Sequence, residues 1–473
     1  MLIDLILRNG VVFAEGVFQS KDVAIEGGKI LPFGEAYGQA KREIDLEGKY
    51  VLPGFVDSHT HMLNLGLQLT RLDLSGCTSR QEAIDAVKSY VTSSKSQVIV
   101  GYGWDESVWG KGERYYLSKD ELEFSSKPIV LYRRDGHMAV VNSAALKKLG
   151  LKSEDGVIKE EELHRLAPLV APDPEETKTA LSKAISFAIS QGVTAVRDFV
   201  DVGTLRAYSE ITSRMNVVKS IYADEYYEGF KSATNWGVKT FLDGSIGAMT
   251  AAHQGWAKSN LKMDLGKFVN FAQGFWSKGV SVAVHAIGEL AVETAVEAFS
   301  NSRIVNSIEH FELVPEGVLD RVGNTFISSQ PNFLQWALPG GLYESRLGKA
   351  WLTRNNSFRQ YIDNGLNLAF GSDCMPLGPN YGIYYAISSP FANQRITLEE
   401  ALTAYTEGSA RLLRDPMTGK ISPGYYANLV IFDEKYARDV NSLKDKKPLM
   451  TIIRGSIVYK SDVLDRRTAS LAP

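Results

Sequence analysis

Hydrophobic and polar positions fall into two textures along this chain. Near the N-terminus, short apolar runs at 5–7, 11–13, 23–25 and 29–31 read as strands, and the dipeptides Asn9-Gly10 and Gly27-Gly28 between them are hairpin formers. The same texture returns only at the far end. There Ile421, Pro423-Gly424 and the runs 429–432, 452–453 and 457–459 again give strands and turns without a convincing helix. Two all-β ends around a different middle predict one small β-sandwich domain built from residues 1–53 and 415–473, with the middle inserted into it.

The middle alternates strand and helix. A helix is expected after Asp173 as N-cap, with Pro174 at the first position, Glu176 at the third, and Leu181, Ala184, Ile185 and Ala188 on one face. Strand-like runs follow at 193–196, 217–222, 238–242, 280–285, 303–309, 325–329 and 366–370, and the run opening at Phe55 makes eight. Eight strands spaced by helical or loop lengths predict an α/β fold of the (β/α)8 TIM-barrel type over 54–414, with its active site at the C-terminal strand ends. A last helix begins at Thr397, with Glu400 in capping-box position. The count requires residues from about 72 to 172 to be an insertion after the first barrel strand. With strands of its own at 98–102 and 129–132, that insertion is expected to be a lid or subdomain over the barrel mouth.

Composition narrows the class of protein. A chain of 473 residues, 44% hydrophobic, can bury a large core and has room for more than one structural unit. The net charge of -3 supplies no basic field for nucleic acid or an anionic membrane, so a small-molecule substrate is the expected partner, with a homo-oligomer left open. Cys77 and Cys374 are too few for a disulfide framework and are expected as thiols in a reducing cytoplasm. No apolar run approaches a membrane span, and the brief N-terminal run, flanked by Asp4 and Arg8, has no cleavage site behind it. A soluble cytoplasmic protein is expected.

The candidate chemistry lies at the predicted strand ends. His59 and His61 follow the Phe55 strand two residues apart, so their side chains share a direction and can hold one metal ion; alone, they could equally be a hydrogen-bonded surface pair. Strand four contains Lys239, strand five ends in His285, strand six runs into Glu309-His310, and strand eight ends in Gly371-Ser372-Asp373. Four of the seven histidines thus fall at C-terminal strand ends, where scattered structural histidines would have no reason to collect. A metal site is expected there.

This arrangement resembles the amidohydrolase superfamily of metal-dependent hydrolases, and within it the amidohydrolase 3, YtcJ-like branch. The likeness runs from Pro53-Gly54-Phe55-Val56-Asp57-Ser58-His59-Thr60-His61 to Gly419-Lys420-Ile421-Ser422-Pro423-Gly424. Between lie Gly103-Trp104-Asp105-Glu106, Asp135-Gly136-His137, the stretch 239–247, His285-Ala286-Ile287-Gly288, Glu309-His310 and Gly371-Ser372-Asp373. The resemblance implies a one- or two-metal site held by His59, His61, Lys239, His285, His310 and Asp373. It also implies a carboxylated Lys239 bridging two ions; a snorkelling or salt-bridged lysine, or Asp243 as the bridge, is the alternative. Asn428 departs from the aspartate usual in the family's closing segment, but it lies in the β domain.

Nitrogen and carboxylate donors suit Zn²⁺ or another divalent ion, and an open coordination position makes hydroxide available near pH 7. Asp373 would bind the metal, take the proton of the attacking water and pass it to the leaving group. His137 either reaches a substrate carbonyl as a second catalytic residue or is a turn histidine satisfied by backbone. Trp104, Trp109, Tyr115 and Tyr116 either wall a substrate or pack the insertion against the barrel. Asp198 either orients a ligand histidine or pairs with Arg197 or another basic neighbour, while His164, His253 and Cys374 are expected to be structural. The expected activity is metal-dependent hydrolysis of a C–N bond in an amide or cyclic amide. An ester or lactone hydrolase on the same site, and a non-catalytic regulatory or binding protein on this scaffold, are the alternatives.

Overall fold

The computed structural model describes residues 3–34, 37–94, 96–106, 109–110, 115–134, 136, 138–230, 235–256 and 260–462. The chain divides into two compact units, Met1–Met62 with Ile185–Pro473, and Leu63–Ala184. Among the described residues, no helix is long and apolar enough to cross a membrane.

In the first unit, the two ends of the chain share one hydrogen-bonded sheet of eight strands. Strand Tyr50–Pro53 lies between Leu5–Ala14 and Leu429–Phe432, parallel to the first and antiparallel to the second, so N- and C-terminal segments interleave. Leu5, Leu7, Val12, Leu429, Ile431 and Ile452 are buried together in one core.

Asn9-Gly10 is not the hairpin its composition suggests. Leu5–Ala14 runs through it as one strand, with a bulge between Leu7 and Gly10, and the turn falls instead at Glu15 and Gly16, with φ of 54° and 78°. Apolar residues on both sides of Asn9 bury into the same core. Asn9 itself, at φ 55°, is held by polar partners: its N–H donates to Asp22 at 2.9 Å and its side chain to Asp45 at 3.0 Å. Gly27-Gly28 does form the expected turn, between Val17–Glu26 and Lys29–Ile30.

The terminal sheet leads directly into the barrel. Gly54 allows this passage, because a Cβ there would lie 2.3 Å from the Thr194 side chain. Eight parallel strands follow in sequence order: Phe55–Thr60, Val193–Val200, Asn216–Tyr222, Asn235–Phe241, Ser281–Ala286, Ser307–His310, Phe326–Ser329 and Asn367–Phe370. Helices Val202–Ser209, Leu265–Trp276 and Glu289–Phe299 connect strands two to three, four to five and five to six. Just past the last strand, the Asp373 N–H donates to the His59 carbonyl at 2.8 Å, which draws strand eight back toward strand one. The predicted (β/α)8 barrel is therefore present, and its strands are buried along most of their length because both faces of each are covered. The closing helix Leu398–Thr403 has the expected Thr397–Glu400 capping box.

The second unit has its own sheet of five strands in the order Val157–Lys159, Met138–Val141, Ile129–Arg133, Ile99–Trp104 and Leu72–Asp73. Its bounds are wider than 72–172 because most of helix Met62–Thr70 and the larger, N-terminal part of helix Pro174–Ser190 belong to it. These helices touch so closely that a Cβ on Gly66 would lie 2.0 Å from the Ala180 carbonyl oxygen. The Asp173 cap is as expected, accepting from the Glu176 N–H at 2.8 Å. Trp104 and Trp109 are fully buried in this unit's core, with the Trp104 indole donating to the Leu131 carbonyl at 2.9 Å. Both rings belong to the unit's own core.

Candidate metal centre

The C-terminal ends of barrel strands one, five, six and eight converge on a cluster of donors. The His59 and His310 rings are 4.8 Å apart, and those of His310 and His285 are 4.4 Å apart. His61 Nε2 lies 3.1 Å from Asp373 Oδ1, and His59 Nε2 lies 3.6 Å from the same oxygen. Ligand atoms of His59, His310 and Asp373 all fall within 4.8 Å of one another. His285 is oriented by its Nε2, 2.9 Å from the Gly244 carbonyl, which leaves Nδ1 as its free lone pair when the ring is neutral.

Local backbone geometry makes this convergence possible. Strand alternation would send Glu309 and His310 in opposite directions, yet both reach His59. His310 and Phe311 have φ of 73° and 55°, and this left-handed turn redirects the imidazole. Asp373 and Cys374 form a similar pair at 54° and 56°. Strands one and eight meet at Gly371, where a Cβ would lie 2.6 Å from the His59 nitrogen. Asp57 braces the seam by accepting from the Ser372 and His59 N–H groups at 2.9 and 3.2 Å, and burial pushes its carboxyl up to about 7.

Electrostatics favour lone pairs over cations here. Burial, reinforced by Lys239, holds His59 well below the usual histidine range and pushes His285 down to about 3. Burial and the His285 and His59 rings do the same to His310. Lys239 is itself 1% exposed, and burial pushes its amine down to about 8. Its Nζ lies 4.3 Å from the Phe199 ring centre and 5.1 Å from that of Phe241. His59 Nε2, His310 Nδ1 and Lys239 Nζ are all buried with no hydrogen-bond partner among the described residues. Buried polar atoms without partners are rare, and three in one cluster, two of them neutral imidazole nitrogens beside a carboxylate, fit a bound divalent cation. Asp243 is otherwise engaged, accepting from the N–H groups of Ala252, Ile287 and Gly288 at 2.9, 3.1 and 2.7 Å.

A sequence profile of the amidohydrolase family matches residues 42–459. The chain belongs to that family. Among similar amidohydrolase relatives, the "Putative amidohydrolase YtcJ" of Bacillus subtilis is 27% identical over 90% of this chain and 92% of its own. The "Protein LONG AFTER FAR-RED 3" of Arabidopsis thaliana is 27% identical over 96% and 91%. Among solved structures, an uncharacterized metal-dependent hydrolase from Pyrococcus furiosus superposes with a TM-score of 0.77 at 28% identity, covering 92% of this chain and 99% of that one. The chain thus shares the fold of a metal-dependent hydrolase.

Other expected roles resolve differently. His137 lies outside the described residues. Among the described residues, Asp198 bonds no histidine and does not pair with Arg197. It accepts from the Met62 N–H at 2.8 Å, the Thr60 hydroxyl at 3.1 Å and the Tyr208 hydroxyl at 2.7 Å, fixing the turn that follows the first strand. The group that touches His59 Nδ1 is Glu309, at 2.8 Å, and Arg197 pairs with Glu309. Neither was assigned that role from sequence, although Glu309 stands next to a candidate ligand. His253 Nδ1 lies 2.7 Å from Glu289 Oε2. Cys374, a free thiol, accepts from the His61 N–H at 3.4 Å.

Proposed function

We propose that this chain is a divalent-metal-dependent amidohydrolase that cleaves a C–N bond, other than a peptide bond, in a small amide or cyclic amide. One observation carries the reading: buried nitrogens of His59, His310 and Lys239, the two imidazoles neutral, gather with Asp373 near the strand ends, and these three nitrogens have no hydrogen-bond partner among the described residues. His59, His61, His285, His310 and Asp373 would hold one or two ions of the Zn²⁺ class. Lys239 carries its proton weakly, so its amine can take up CO₂ as a carbamate, and the resulting carboxylate would bridge a pair of ions. When bound, such an ion lowers the pKa of water toward neutrality and polarises a carbonyl oxygen.

Asp373 has the proton-handling role. Its Oδ1 faces His61 and His59, and its second oxygen is available to accept a proton from the attacking water and return it to the departing nitrogen. An amine leaves poorly unless protonated, so a carboxylate placed to cycle one proton suits C–N cleavage. Phe199 and Phe333 flank the donors, with the Phe333 ring stacked 5.9 Å from His310 and the Phe199 ring 4.5 Å from His59. Apolar flanks exclude water and strengthen charge interactions inside the site. Both thiols are free, which accords with a cytoplasmic setting.

The test is turnover by the zinc-reconstituted protein on a matched panel of amides, cyclic amides, esters and lactones. Hydrolysis of amides or cyclic amides is expected. Turnover of esters or lactones alone would move the activity to C–O bonds, and a reconstituted protein inert on the whole panel would favour a binding role.

A further inference from the structure

Glu309 and Arg197 are both completely buried inside the barrel, and both are charged. A buried ion pair is poor evidence of stabilisation, because desolvation offsets much of its attraction. What the pair touches is more informative. Arg197 Nη2 donates to both Glu309 oxygens, at 2.6 and 2.7 Å, while its Nη1 reaches Ser307 Oγ at 3.0 Å and its Nε the Ser58 carbonyl at 2.8 Å. The guanidinium also lies against two rings, 4.7 Å from the centre of Trp236 and 5.0 Å from that of Phe199. It has no freedom to turn away. Ser307 donates a second short bond to Glu309 Oε1.

A guanidinium only donates and an ionised carboxylate only accepts. The remaining partner of Glu309 Oε2 is His59 Nδ1 at 2.8 Å, so that nitrogen must carry the proton. The ring's lone pair then lies on Nε2, the buried atom that faces Asp373 and has no hydrogen-bond partner among the described residues. We propose that Arg197 and Glu309 are positioning residues that lock His59 in its Nδ1–H tautomer and aim its Nε2 at the donor cluster. The consequence for metal affinity rests on the proposed metal-dependent function; the tautomer does not.

Glu309→Gln separates the two. Arg197 can accept nothing, so the new amide oxygen turns to Arg197 and the amide NH₂ faces His59 Nδ1. That nitrogen must then accept, and the ring proton moves to Nε2, removing the lone pair from the cluster. The readout is the ¹⁵N signature of His59 in the full-length protein before zinc is added, assigned by its loss in His59→Ala. It is combined with the zinc Kd from competition with a chromophoric chelator. Wild type should show Nδ1–H; Glu309→Gln should show Nε2–H and bind zinc about 10- to 100-fold more weakly. An Nε2–H tautomer in wild type would overturn the proposal even if the variant failed to fold. So would a folded Glu309→Gln protein that keeps Nδ1–H, or that switches tautomer with unchanged zinc affinity. If the tautomer switches as expected but wild type binds no zinc, the positioning pair stands and the metal-dependent function falls.

Discussion

Replacing Lys239 by methionine should stabilise the metal-free protein while impairing its metal site. Methionine keeps the stem and the volume but removes an amine that has no hydrogen-bond partner among the described residues. Burial pushes that amine from its ordinary 10.5 down to about 8, so at pH 7 the fold carries the charge at a cost of about 3 kcal/mol. The Phe199 and Phe241 faces, at 4.3 and 5.1 Å, offset about 1–2 kcal/mol of this. The net expectation is a gain of about 1–2 kcal/mol for Lys239→Met at pH 7, read from urea denaturation of chelator-treated protein. The sign of the pH dependence follows from the lowered pKa. Between about 8 and 10.5 the unfolded chain binds more protons than the folded one, so wild-type stability rises with pH across that window and the variant's advantage shrinks. A Lys239→Met protein less stable than wild type at pH 7, or an advantage that does not fall by pH 9.5, would refute the reasoning.

Three other substitutions probe separate parts of the account. Asp373→Asn keeps an oxygen near His61 but loses the proton acceptor, so kcat should fall by about 10² or more with most metal retained; steady-state kinetics with wild-type kcat would contradict this. Trp104→Ala empties a fully buried site and should cost about 3–5 kcal/mol in denaturant unfolding, whereas an equally stable variant with a raised KM would restore the substrate-wall reading. Gly371→Ala places a Cβ 2.6 Å from the His59 nitrogen and 2.7 Å from its Cβ, so it should lower stability by roughly 1–3 kcal/mol and reduce metal content; a metal-replete variant with wild-type Tm would contradict the close seam.

The barrel was legible because parallel strands covered on both faces carry short, largely apolar runs, as at 193–196 and 282–284. Histidines are scarce in this chain, so His59, His61, His285 and His310 stood out at strand ends. Local rules failed where tertiary packing overrode them. Asn9-Gly10 has hairpin chemistry, but the flanking leucines and valines share one core and keep the strand continuous. The Glu309 contact to His59 was hidden because alternation predicts that Glu309 and His310 diverge; the left-handed φ at His310, which residue type does not signal, removes that expectation. Arg197 and Asp198 are adjacent and opposite in charge, so pairing between them looked natural. In a strand they point to opposite faces, and each finds its partner elsewhere. In the second unit, the short strands Met138–Val141 and Val157–Lys159 were not read from the sequence.

The central claim is that four strand-end histidines and Asp373 form a metal centre, and elemental analysis of the purified protein tests it most directly. About one to two equivalents of a divalent ion of the zinc class are expected in wild type, and most should be lost when His59 and His61 are both changed to alanine. Metal content unchanged in that double variant would contradict the account.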